Sequence, residues 1–106
     1  MTTSKPPTAS GISRLLKAAG FERSEDTAGR AYSEGFRVSR DRLNGNAVLV
    51  NWWGDSADTE PGHARRREML DRYEAAILAA GYAVKTAKLH RGLPYVSHLI
   101  VTAKED

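Results

Sequence analysis

A four-residue motif occurs twice in this chain and sets its plan. Ala18-Ala19-Gly20-Phe21 recurs as Ala79-Ala80-Gly81-Tyr82. Each copy closes a stretch in which apolar residues recur with helical spacing. Each is followed by two stretches with strand character. A glycine just past a helix takes up the left-handed backbone that ends it, and an apolar residue after the glycine packs back on the last turn. The motif therefore marks two helix ends, and the chain reads as two α-β-β units. An internal duplication and a convergent use of a good helix stop both account for the likeness. The order α-β-β-α-β-β stands under either.

The first helix is carried by Ile12, Leu15, Leu16 and Ala19, which fall at i, i+3, i+4 and i+7 and make one apolar stripe. Ser10 is placed to cap it. The second spans about His63–Ala80. Its stripe is Leu70, Tyr73, Ile77 and Ala80, with Met69 and Ala76 beside it. Asp58 or Thr59 suits its N-cap, and Glu60 and Pro61 suit its first turn. Between the helices, Phe36 and Val38 alternate with Arg37 and Ser39, as in a half-buried strand. Asn44-Gly45 is a hairpin turn signal. The second strand is Ala47–Trp53. After the second helix, Tyr82–Leu89 is a third strand, His90–Pro94 a turn and Tyr95–Thr102 a fourth.

Charge ranks these strands. The first strand of each unit carries the basic residues: Arg37, Arg40 and Arg42 in one, Lys85 and Lys88 in the other, with Arg91 in the turn that follows. The second strands are richer in apolar residues. Apolar strands belong in the middle of a sheet, and charge on the outer strands discourages edge-to-edge pairing. The predicted sheet is antiparallel and ordered 36–41, 47–53, 95–102, 82–89, with both helices on one face. The fold class is α+β, a ferredoxin-like sandwich whose usual first strand stands at the C-terminus.

Composition narrows the rest. The chain has 106 residues, 41% hydrophobic and 27% charged, which suits one soluble domain. Such a chain buries roughly two-thirds of its surface and folds without staples. With no cysteine, a disulfide scaffold and a Cys-ligated metal are excluded. His63, His90 and His98 show no metal-binding spacing, and no nucleophile elbow or phosphate loop is present. No catalytic residue is assigned, and no cofactor or metal is expected. No apolar run is long enough to span a membrane. Residues 1–10 are polar, read as a disordered arm, and lack the apolar core of a signal peptide. The domain is placed at 11–103 with a tail at 104–106, and a cytoplasmic location is expected.

Strand periodicity then exposes a surplus. One face of the second strand carries Val48, Val50 and Trp52, the other Leu49, Asn51 and Trp53. On the last strand, Val96, His98 and Ile100 share one face, and Ser97, Leu99 and Val101 the other. Both faces of both central strands hold apolar residues, yet two helices cover only one. The second face is thus expected to bind something: a second copy in a homodimer, a protein partner, or nucleic acid. The chain's own arm or the loop at 22–30 is the other candidate cover. Leu49, Trp53, Tyr95 and Leu99 are the expected protein-binding anchors. For nucleic acid the contacts would be Arg37, Arg40, Lys85, Lys88 and Arg91, together with the run Arg65-Arg66-Arg67. The net charge of +3 permits such a partner without requiring it. No aromatic run typical of single-strand RNA readers lies on a central strand.

The stretch Leu15–Phe21 (LLKAAGF), with the later Gly35-Phe36-Arg37-Val38, resembles short proteins of actinobacteria and their phages. The resemblance implies a small accessory protein, carried by a mobile element, that binds a host or virion component.

Overall fold

A computed structural model of the chain describes residues 6–24, 34–43, 45–54, 59–88, 92–93 and 96–104. The elements run α1 (Ala9–Ala18), β1 (Gly35–Arg40), β2 (Val48–Trp53), α2 (Glu60–Ala79), β3 (Tyr82–Ala87) and β4 (His98–Ala103). The strands form one antiparallel sheet in the order β1-β2-β4-β3. This is the α-β-β-α-β-β sandwich expected from the repeated motif, with the two apolar strands at its centre.

Both glycines of the repeat adopt φ 96°. At the first, the Gly20 amide donates to Lys17 O and the Phe21 amide to Leu16 O, both at 3.0 Å. This double closure satisfies carbonyls that a bare helix end would leave open. At the second, the Gly81 amide donates to Leu78 O at 3.0 Å. Phe21 then packs edge-on against Tyr73 of α2, ring centres 4.9 Å apart. The first stop thus fastens α1 to α2. Ala19 and Ala80, expected on the apolar stripes, are the exposed C-caps.

The helix starts lie earlier than expected. Thr8, rather than Ser10, caps α1, its hydroxyl accepting from the Gly11 amide at 3.0 Å. Pro7 is buried, so part of the segment read as an arm belongs to the fold. α2 starts at Glu60 rather than about His63, and Thr59, one of the two expected caps, closes it through the Gly62 amide at 3.2 Å. β4 begins at His98 rather than Tyr95. Ser97, just before it, donates its amide to Ala87 O at 2.9 Å.

The core lies between the helices and one sheet face. Ile12, Leu16, Leu70, Tyr73 and Ile77 meet Phe36, Val48, Val50, Trp52, Leu99 and Val101 there, all at most 2% exposed. Gly62 and Arg66 extend the buried stripe of α2 toward its N-terminus. Among the described residues, no helix is long and apolar enough to cross a membrane.

Candidate functional site

No described element packs on the sheet face opposite the helices. The register defines what stands there. Ser39 pairs with Leu49, Leu49 with Ile100, and Ile100 with Lys85. These four side chains form one row across four strands, roughly 14 Å from end to end at the usual strand spacing. The next row holds Arg37 paired with Asn51, then His98, which pairs with Ala87. Trp53 lies one step further along β2. Leu49 and Ile100 are the apolar centre, each half-buried, while Ser39 and Lys85 at the edges are exposed. No strand contains an acidic residue.

Trp53 is half-buried and packs partly on the core. The Arg37 guanidinium sits over its ring, 5.5 Å from the centre. That geometry is attractive because the ring face carries negative charge density. His98 is tied down by its neighbour, with Ser97 Oγ 2.7 Å from its Nδ1. Burial lowers the His98 pKa, opposed in part by the Asp41 carboxylate.

One expected anchor is misplaced. Leu99 is 1% exposed and lies among the helices' partners. The last strand has apolar residues at both parities, so its alternation does not say which side faces in. Register with β2 decides it. Val50 pairs with Leu99 and Val48 with Val101, so Leu99 and Val101 point to the core and Ile100 to the open face. Ile100 is the site residue that the sequence left undecided. Tyr95 and Arg91 lie outside the described residues.

The Arg65-Arg66-Arg67 run divides three ways, since successive helical residues point about 100° apart. Arg65 pairs with Glu34 at 3.1 Å and Glu68 at 2.8 Å. Its pKa is raised by the Glu68 and Glu34 hydrogen bonds, in that order. Arg66 is 6% exposed, its guanidinium 5.7 Å from the centre of the Trp52 ring, and so it offers no exposed phosphate contact. Arg67 is exposed, as are Arg40, Lys85 and Lys88. The run does not form one basic surface.

A cleft of about 490 Å³ lies between the end of α1, the start of β1 and α2. Glu34, Arg65, Arg72 and Tyr73 line it. Arg72 also pairs with Glu68, at 3.2 Å, so its ionic groups largely neutralise one another. The Tyr73 hydroxyl is buried without a hydrogen-bond partner among the described residues. Burial raises its pKa, reinforced by Glu34 and opposed by Arg65. The phenol therefore stays protonated. Among the described residues, no group of three or more His, Cys, Asp or Glu is placed to hold a metal ion. Comparison with protein families, curated proteins and solved structures finds no match for this chain.

Proposed function

We propose that this domain is a non-catalytic binding module whose open sheet face takes an acidic protein partner. One observation carries the reading: an aliphatic centre, Leu49 beside Ile100, shares its face with Arg37 and Lys85, and no strand holds a carboxylate, Asp41 following just past the end of β1. Protein interfaces have this anatomy, with apolar and aromatic residues at the centre and charge at the rim. The sign of the charge selects the partner. A second copy laid face to face would bring Arg37 and Lys85 toward like charges, whereas an acidic surface would pair with them. The accessory-protein role implied by the resemblance to actinobacterial and phage proteins is part of this proposal.

Nucleic acid is the second reading. The Arg37–Trp53 stack favours it, because aromatic and guanidinium planes hold bases. Selection from a displayed random peptide library separates the two. Enriched peptides should combine acidic with aliphatic or aromatic residues. They should bind at least about tenfold more weakly to Leu49→Lys and Ile100→Lys variants that keep the parent melting temperature, a loss of about 1.4 kcal/mol. Amide shifts should centre on Leu49, Asn51 and Ile100. Peptides without acidic residues, or equal binding to the variants, would overturn the reading. An oligonucleotide that shifts the same amides, with affinity falling steeply as salt rises, would replace it with the second.

A further inference from the structure

β1 presents a second surface, on its outer edge. It pairs with β2 through its odd-numbered residues: Gly35, Arg37 and Ser39 lie opposite Trp53, Asn51 and Leu49, and Asp41 continues the ladder by donating to Ala47 O at 3.1 Å. In an antiparallel pair the alternate residues turn their N–H and C=O the other way. Phe36 shows this directly. Its amide donates to Glu22 O and its carbonyl accepts from the Ser24 amide, both at 2.9 Å, so residues 22–24 meet the edge in a single parallel bridge. Val38 and Arg40 share the parity of Phe36. Among the described residues nothing pairs with their outward groups.

A groove of about 410 Å³ runs beside this edge. Ser10, Ser13, Arg14 and Lys17 of α1 line one wall, Arg23 and Val38 the other. Arg14, Lys17 and Arg23 are exposed. Among the described residues no carboxylate pairs with any of them, and α1 contains no acidic residue. Ser10, Ser13/Arg14 and Lys17 fall at helical spacing, so they share one face of α1.

We infer that the β1 edge and this groove bind an extended acidic peptide of another protein, added to the sheet as a further strand. The backbone of Val38 and Arg40 supplies the ladder, and the side chains supply the selectivity, as in other cases of strand addition. Alternate residues of the added strand point to one side, about 6.6–6.8 Å apart. Those turned toward α1 meet Arg14 and Lys17, which lie almost one helical turn apart. Acidic residues at alternate positions match in sign, and the long Arg14 and Lys17 side chains, rooted about 4.5 Å apart along the helix axis, can splay to that wider spacing. This inference does not rest on the sheet-face proposal. Its residues lie on α1 and at the edge of β1, and its reporters are different amides.

The test is hydrogen exchange and amide shift mapping on the whole protein, with a short acetylated and amidated peptide alternating Glu and Val as the probe. In the free protein the Phe36 amide should be protected and the Val38 and Arg40 amides should exchange freely. Adding the peptide should protect Val38 and Arg40 and shift Ser13, Arg14 and Lys17, with Leu49 and Ile100 unmoved. A Lys-Val peptide should do neither. Reversing charge with Arg14→Glu and Lys17→Glu, both at exposed positions, should weaken the Glu-Val peptide at least about tenfold. Val38 and Arg40 amides already protected in the free protein would mean that the edge is paired within the chain, and would overturn the inference. So would equal binding of the two peptides. So would an oligonucleotide that occupies the groove when the Glu-Val peptide does not.

Discussion

Gly20 and Gly81 share a φ of 96°, and no atom comes within 4 Å of where a Cβ would stand on either. Gly81→Ala is therefore a test of backbone strain alone, expected to cost about 1–2 kcal/mol in urea unfolding. Gly35 is constrained differently. A Cβ there would lie 2.6 Å from the Ser24 backbone nitrogen and would also strike the Glu22 carbonyl oxygen. Gly35→Ala should push the segment 22–24 off the edge, read as fast exchange of the Ser24 amide. Tyr73→Phe should leave stability unchanged or slightly raised, since the buried hydroxyl has no partner among the described residues. A loss above about 1 kcal/mol would show that the hydroxyl is in fact bonded. His98 links stability to pH. Burial lowers its folded pKa below the ordinary imidazole value of about 6.5, so the unfolded chain takes up the proton first. Its contribution is complete above pH 6.5 and is lost as pH falls toward the folded value. His98→Gln should flatten that part of the unfolding profile.

The two central strands differ in how openly they declare their faces. In β2 both parities are apolar but Asn51 marks one as outer, and burial alternates accordingly: Val48, Val50 and Trp52 are buried, while Leu49, Asn51 and Trp53 are half-buried. In β4 apolar residues occupy both parities, and its inward phase comes from pairing with β2. Leu99→Ala should thus cost about 2–5 kcal/mol, as a core truncation does, while Leu49→Ala should cost under about 1 kcal/mol. Comparable losses in thermal unfolding would mean that the open face is covered. The stripe of α2 was legible from Leu70 to Ile77 and illegible before it, because its next buried member is Arg66. A long Arg stem packs like an aliphatic side chain and its planar head lies over an aromatic ring, here Trp52. A hydropathy pattern counts such a residue as surface.

At the scale of the whole molecule, the sheet has two outer strands, and among the described residues neither is fully covered. Residues 22–24 cover β1 beside Phe36, while β3 carries Lys85 on its outer run, a charge that discourages pairing with another sheet. With basic residues on both outer strands and no acidic residue in any strand, the isolated protein should elute as a monomer at low and high salt. Light scattering checks this, and a salt-resistant dimer would contradict it. What the sequence by itself determined is the order and kind of the elements and which strands are central. Those follow from local chemistry: glycine at two helix ends, apolar residues at helical period, and charge confined to two strands. Only the tertiary structure decided which side of β4 faces the helices, that Arg66 is inside while its two neighbours are exposed, and that, among the described residues, the outward backbone of β1 is paired at Phe36 and not from Val38 on. Each of these depends on a partner distant in sequence: β2 for Leu99, Trp52 for Arg66, and residues 22–24 for the β1 edge. Local periodicity carries no information about such partners.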